Sequence, residues 1–448
     1  MIQAPKGTRD FYPADLLRRR YIERLWREAS IRHGFEEVEG PTFESSELYK
    51  VKSGEGILGE MFGVFSGKSE EDVRRVRETG EAPLGLRPEF TPTLARMAAG
   101  RAGSLSKPTR WFTMGAYFRA ERPQRGRLRE FHQWNVDVIG EAGARADGEV
   151  VACAVEMFRE AGLGPGDVTC RYSSRSTLRD VLVSIGLSEG SHEGILSLLD
   201  KRGKMPGEKF ERASEEAGLD VAALDAALGA AGVPEAIARE FEANGIGEWC
   251  VADAGIVRGL AYYTGLVFEV VREGERAVAG GGRYDNLIEL FGGGPLPAVG
   301  FGMGDVVLGN LLEDKGLMPE GAAMLDALGR PGARLRPDVF VVSNGSEEAE
   351  AEVRPLVARL RRGEESEGWL GRAGRKAWDV DRYEVKPLHA RRSSRATKNI
   401  GKMLEEASKQ HARHACIVEG EGRCTLKDLS TGEQVKDVPI GEVARRVG

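Results

Sequence analysis

Residues 110–139 constrain the fold more than any other stretch of the chain. Two strand-length runs, "RWFTMGAYFRA" (110–120) and "LREFHQWNVDVI" (128–139), flank the short basic loop "RPQRGR" (122–127), whose Pro123 and Gly126 suit a turn; the segment reads as an antiparallel hairpin. Side chains alternate faces along a strand, so parity sorts them. Phe112, Met114, Ala116 and Phe118 share one face, with Leu128, Trp134, Val136 and Val138 on the matching face of the return strand. Opposite them stand Arg119 and Glu121 on the first strand and Arg129, Phe131, Gln133, Asn135 and Asp137 on the second. One face is therefore core, and the other is a polar platform around a single aromatic. Further strand-like pieces at 35–40, 61–66, 84–87, 248–257 and 263–272 predict that this hairpin belongs to a larger antiparallel sheet.

Arginines on such a platform suit phosphate oxygens, because a planar guanidinium donates two parallel hydrogen bonds, and Phe131 can stack on a planar base. An exposed hairpin tied by surface salt bridges is the plainer alternative, but it leaves the aromatic between Arg129 and Gln133 unexplained. Two phosphate-loop signatures fail inspection. "GVFSGKS" (63–69) ends like a P-loop but has Phe62 where the first glycine belongs, and it reads as a hairpin turn. "GFGMGD" (300–305) lacks the G-x-G-x-x-G spacing. Any use of ATP must then proceed without a Walker or Rossmann loop.

Around the sheet, apolar spacing predicts helices over Asp15–Arg32 and 147–161, and a helical insertion at about 176–245. The Pro- and Gly-rich stretch after residue 318 contains the expected linker, 326–336, which separates a first domain (1–325) from a tail (337–448). That tail alternates "DVFVVS", "EEAEAEVRPLVARLRR", "SSRATKNIGKMLEEASKQ" and "HACIVEG", the pattern of a small α/β sheet flanked by helices. The net charge of −6 argues against a general nucleic-acid coat, yet from Arg372 to Arg413 twelve Lys or Arg face five Asp or Glu. Such a run is either a solvated helix face or a phosphate-binding surface. Five scattered cysteines without a C-x-x-C pair indicate neither a disulfide framework nor a zinc ribbon. His411, His414 and Cys416 read as surface or packing residues rather than metal ligands. With no apolar run of about 18 residues and no signal-peptide pattern, a cytoplasmic protein that does not enter a membrane is expected.

Taken together, the motifs resemble a class II aminoacyl-tRNA synthetase, and more narrowly the histidyl-tRNA synthetase family. The charged hairpin is similar to that family's second signature motif, and "VRGLAYYTGLVFE" (257–269) to its histidine-specific signature. "KGTRDFYP" (6–13), "LRPEFTP" (86–92), "GGGRYDNL" (280–287) and, in the tail, "KDLSTGEQ" (427–434) match family stretches in order, so the resemblance covers essentially the whole chain. It implies an α+β catalytic domain built on a six- or seven-stranded antiparallel sheet with a helical insertion, a C-terminal α/β anticodon-binding domain, and a homodimer. The implied reaction joins L-histidine to tRNA(His) through a histidyl-adenylate, with ATP and its Mg2+ consumed in the first step.

By the same resemblance, Arg119 holds the α-phosphate, Arg258 bridges carboxylate and phosphate from the opposite side, Arg127 reaches the outer phosphates, Glu121 helps fix the nucleotide and Phe131 stacks on adenine. Glu89, Thr91 and Gln133 meet the α-amino group, while Asp137, Tyr262, Tyr263 and Tyr284 enclose the imidazole. Contacts to tRNA fall to Arg391, Arg395 and Lys398 in the tail, and to Arg122 and Gln124 in the hairpin loop, where a contact to an extra 5′ guanosine is expected. Three positions depart from the family pattern: Val307 stands where the third motif ends in an ATP-contacting arginine, Ala261 replaces an aspartate, and Asp137 replaces a glutamate. Two other readings are a non-catalytic histidine-binding relative that regulates ATP phosphoribosyltransferase, and a class II synthetase for threonine, proline or glycine. The first ordinarily lacks the tail and the hairpin arginines that this chain keeps; "RGLAYY" and "GGGRYD" argue against the second.

Overall fold

The structure is a computed structural model that describes residues 2–53, 59–124, 126–200, 202, 205–232, 234–256, 262–329, 334–365, 383–393 and 399–448. The chain divides into two units, one formed by residues up to Tyr12 with Ile22–Met318, the other by Pro13–Tyr21 with Pro319–Gly448.

In the first unit the strands in chain order are β1 (Glu36–Glu37), β2 (Phe43–Ser45), β3 (Gly63–Val64), β4 (Leu84–Leu86), β5 (Thr109–Phe118), β6 (Glu130–Ile139), β7 (Thr169–Ser174), β8 (Cys250–Ala252), β9 (Leu266–Val271), β10 (Ala279–Arg283) and β11 (Ala298–Gly304). Eight of them form one sheet in the order β1-β5-β6-β11-β10-β9-β7-β8. The six central strands pair antiparallel, as the sequence leads one to expect. Each edge then adds a short parallel strand, β1 beside β5 and β8 beside β7, which brings the sheet to eight strands. The hairpin is β5–β6, ten residues a side, with Phe118 opposite Glu130 and Trp111 opposite Asp137.

Parity holds on the even face. Helix α1 (Pro13–Arg32) starts on a proline, which suits a first turn whose N–H groups have no intrahelical partner. It lays Trp26 on Trp134, ring centroids 6.1 Å apart, and Ser30 Oγ accepts from Trp134 Nε1 at 2.9 Å. The odd face differs from the expected polar platform. Three short helices, α2 (Ser46–Ser53), α3 (Glu70–Thr79) and α4 (Thr91–Ala99), follow β2, β3 and β4. Phe90, Leu94 and Ala98 of the α4 region pack with Trp111, Tyr117, Tyr263 and Tyr284 into a second core, so half of that face is roofed and apolar. The P-loop look-alike is also different from the hairpin turn expected of it: β3 runs through a turn into α3, whose Ser69 cap accepts from Asp72 N at 3.1 Å.

Helix α5 (Ala144–Glu160) packs on β6 and β11. Between β7 and β8 come five helices, α6 (Arg175–Ser184), α7 (Glu189–Asp200), α8 (Gly207–Glu216), α9 (Val221–Ala230) and α10 (Glu235–Ala243). Leu178, Leu182, Ile195, Leu196, Phe210 and Leu224 give this insertion a small core of its own. Helix α11 (Asp305–Asp314) continues directly from β11.

In the second unit, strand Val339–Ser343 is paired in parallel with Ala390–Arg392 and His414–Gly420, and Arg423–Asp428 and Gln434–Pro439 extend the sheet antiparallel. Its central strand is buried on both faces: Val339 and Val341 pack under helix Glu347–Arg362, while Phe340 and Val342 pack under Ile400–Lys409. A short helix, Gly321–Ala327, runs into the stretch read as a linker, and its Asp326 accepts from Arg336 Nη1 at 2.9 Å and Arg413 Nη2 at 2.8 Å.

Candidate active site

The site lies on the odd face of β6, where Phe131, Gln133, Asn135 and Asp137 stand in a row. Strand register sets Gly304, Gly302 and Gly300 opposite Gln133, Asn135 and Asp137, and Gly282 of β10 opposite Gly300. At Gly300 and Gly282 a side chain would run into neighbouring backbone, at Gly302 it would displace the Gln133 amide, and among them only Gly304 has open space around it. A Cβ at Gly300 would lie 1.8 Å from Asp137 Oδ1 and 2.7 Å from the Val136 carbonyl, and one at Gly302 would lie 2.3 Å from Gln133 Nε2. One at Gly282 would meet Tyr263 Cδ1 at 2.8 Å, and one at Gly115 would meet Arg87 Nη2 at 2.3 Å. The glycines of "GFGMGD", which fails as a dinucleotide loop, are thus strand glycines, and with Gly282 they leave a bare backbone floor beside the β6 row.

One end of this trough is closed and largely apolar. Asp137 is 4% exposed, and its Oδ1 accepts the Tyr284 hydroxyl at 2.5 Å. Burial pushes its pKa up to about 7, against the pull of the Tyr284 bond, and burial first, then the Asp137 charge, raises the Tyr284 phenol. Tyr262 packs 4.6 Å from Tyr263 and edge-on to Tyr284 at 6.1 Å, centroid to centroid. Behind Tyr284, Arg283 points to the other side and is fully engaged. It donates to Asp147 Oδ1 at 3.0 Å, to Asp285 at 3.1 Å, and to the carbonyls of Glu141 and Gly143 at 3.0 and 2.7 Å. Asp147, also buried, has its pKa raised to about 6 by desolvation, with the Arg283 charge opposing the shift. "GGGRYD" thereby supplies floor, anchor and pocket wall in successive residues.

Midway, Gln133 Nε2 donates to Asn135 Oδ1 at 2.8 Å. Glu89 and Thr91 come from the start of α4 and are half-buried. Arg119, just past β5, donates to the Pro88 carbonyl at 3.4 Å and lies 5.1 Å above the Phe131 ring. Burial lowers its pKa, and the nearby Glu89 charge works the other way.

The other end opens into a cavity of about 830 Å³ whose lining includes Arg119, Arg127, Phe131, Gln133, Glu269 and Arg276. Arg127 is hydrogen-bonded to Glu121, and Gln124 Oε1 accepts from Arg276 Nη2 at 2.5 Å. Arg122 is exposed in the loop. Val306 and Val307 also line this cavity, with aliphatic side chains where the family pattern has a cation. Arg276, Glu269 and the glycine floor escaped the sequence reading. "VREGERAV" (271–278) looks like an ordinary charged turn, and only the gap at Val307 asks for a replacement cation nearby.

Of the other expected residues, Arg258, Ala261, Arg395 and Lys398 lie outside the described residues. Arg391 belongs to the second unit, where it is exposed and donates to His389 Nε2 at 3.0 Å and Gln410 Oε1 at 2.9 Å.

With this geometry in view, a family model described as Histidyl-tRNA synthetase matches residues 7–304. The histidine–tRNA ligase of Opitutus terrae is 38% identical over 376 residues, 78% of this chain and 80% of that protein. That of Pyrococcus furiosus is 34% identical over 477 aligned positions, spanning 99% of this chain and 98% of that protein. Among solved structures, the histidyl-tRNA synthetase of Nostoc sp. PCC 7120 superposes with a TM-score of 0.72 at 21% identity, covering 100% of this chain and 99% of that one.

Proposed function

This chain belongs to the histidyl-tRNA synthetase family, and from that premise we propose that it activates L-histidine with ATP and transfers the histidyl group to tRNA(His). The observation that carries the reading is one sheet face with a buried carboxylate–tyrosine pair at one end, a guanidinium–aromatic pair at the other, and a glycine floor between them. In the first step the histidine carboxylate attacks the α-phosphorus of ATP and pyrophosphate leaves. In the second, a hydroxyl of the tRNA's terminal adenosine attacks the acyl carbon and AMP leaves. Neither step uses a nucleophile from the protein, so the site has to position reactants and stabilise charge on phosphate oxygens.

Asp137 and Tyr284 receive the imidazole, with Tyr262 and Tyr263 as its apolar walls. An analogue of the same shape that lacks ring nitrogens leaves the second oxygen of the buried Asp137 carboxyl, the one Tyr284 does not reach, without a partner from the ligand, which is how such a pocket rejects it. Glu89, Thr91 and Gln133 take the α-amino group. Arg119 moves from the Phe131 face to the α-phosphate, and adenine takes its place on the ring; Arg127 leaves Glu121 for the outer phosphates. Arg258 completes the carboxylate side. Glu269 and Glu275 line the cavity and offer the hard oxygen donors that Mg2+ takes, and the ion would screen the triphosphate as it is bound. Arg122, Gln124, Arg391, Arg395 and Lys398 contact the tRNA, and the working form is a cytoplasmic homodimer. Among the described residues, no single helix is long and apolar enough to cross a membrane.

The test is pyrophosphate exchange into ATP with each amino acid in turn and no tRNA. Exchange with histidine alone is expected. Histidine binding without exchange would favour the regulatory relative, and exchange with another amino acid would overturn the Asp137–Tyr284 pocket.

A further inference from the structure

The third-motif arginine is replaced here by Val307, which leaves the nucleotide end one cation short unless another element supplies it. We infer that Arg276, from the turn between β9 and β10, is that substitute and binds the phosphate chain of ATP. The inference rests on the reading of the cavity as the nucleotide site.

Three observations converge on it. A Cβ built on Gly126 would lie 3.4 Å from Val307 Cγ2 and 3.5 Å from Arg276 Cδ, so the valine and the arginine stem both flank Gly126, and the arginine reaches the same end of the cavity from a different strand pair. Arg276 lines the same cavity as Arg119, Arg127 and Phe131. Its guanidinium is held by the neutral amide oxygen of Gln124, and among the described residues no carboxylate lies within ion-pairing distance of it. Arg272, four residues earlier in the same turn, is by contrast paired with Asp314 at 2.8 Å. A cation that no acid among the described residues neutralises, fixed at the rim by an exchangeable hydrogen bond, is available to an anion, and its planar fork suits two phosphate oxygens. Small Val307 leaves the room that this side chain needs.

The experiment compares wild type with Arg276→Ala, Arg276→Lys and Arg276→Ala/Val307→Arg in histidine-dependent exchange, with MgATP binding measured separately by calorimetry. Loss of a charge-assisted contact predicts that R276A raises the KM and Kd for ATP about ten- to a hundredfold while KM for histidine stays within about twofold. R276K falls between, since lysine keeps the charge without the fork, and restoring an arginine at Val307 recovers ATP binding in part. An ATP Kd for R276A within about twofold of wild type overturns the inference. Wild type that binds MgATP without exchange refutes the proposed activity but not the role of Arg276, which calorimetry still reads. Wild type that binds no MgATP refutes both. Because Arg276 is exposed, matching thermal midpoints of R276A and wild type separate lost binding from lost folding.

Discussion

Replacing Asp137 by asparagine tests the closed end of the site through its pH dependence. The carboxyl is 4% exposed, and burial lifts its pKa to about 7 from the ordinary 3.8. Between those two values the folded protein holds a proton that the unfolded chain has released. Stability linked to this group is therefore fully present below about pH 4, falls by about 1.4 kcal/mol per pH unit, and levels off above about pH 7. The shift of roughly three pKa units corresponds to about 4 kcal/mol over the whole window. Asparagine keeps nearly the same shape, still accepts from Tyr284, and has no proton to lose. Between about pH 4.5 and pH 8 the difference in unfolding free energy should move by about 3 kcal/mol in favour of D137N. Urea unfolding followed by tryptophan fluorescence at several pH values reads it, since Trp134 and Trp26 sit on the opposite face of the same sheet. If the wild-type and D137N curves stay parallel across that range, the carboxyl is not the buried, proton-holding group described here.

Three further substitutions probe the floor, the cationic end and the anchor. Gly300→Ala puts a methyl into Asp137, so overpacking of about 1–3 kcal/mol and a disturbed Tyr284 bond should lower the thermal midpoint and raise KM for histidine more than for ATP. Arg119→Lys removes the fork and the Phe131 contact, and exchange kcat should fall about 10²–10³-fold with KM for histidine little changed. Arg283→Met leaves Asp147 buried without its partner, which should cost about 3–5 kcal/mol in a melt. That loss should be larger at pH 8 than at pH 5, because the carboxyl, already raised to about 6, shifts further up without its arginine.

The hairpin was legible because ten-residue alternating strands state their faces locally, and α1 because its apolar spacing holds for five turns. Helix α4 was not, since nine residues of "TPTLARMAA" carry too short a period, and without it Trp111 and Tyr117 could not be assigned to a second core. The glycine floor was not legible for a different reason. "GGGRYD" and "GFGMG" show no role until register sets Gly282 and Gly300 side by side and Asp137 against Gly300, and the second pairing joins strands far apart in the chain. The edge strands β1 and β8 fall inside the strand-like pieces at 35–40 and 248–257, but at two and three residues they are too short for periodicity to show that they pair in parallel. Arg276 has no local signature at all; its role depends on what Val307 leaves open.

The strand that ties these observations together is β6, which acts as a ruler. Phe131 and Asp137 point the same way six residues apart, a span of about 20 Å along a strand. On the proposed reading, an adenine ring stacked at one end and an imidazole held at the other would leave the α-phosphate and the attacking carboxylate between them, over Gly302 and Gly300. A side chain on that floor would lift the reacting atoms away from Arg119. A flexible loop of glycines would leave them unplaced. Strand glycines satisfy both demands, because the ladder on each side fixes their backbone while nothing projects from it. Each glycine in a strand interior costs about 0.5–1 kcal/mol relative to alanine. Packing on the reverse face offsets this, where Phe301, between two floor glycines, meets Trp134 edge-on at 4.9 Å. On that reading activity would depend on residues that carry no functional group, and the first sign of a perturbed floor should be lost histidine affinity in a protein that still folds.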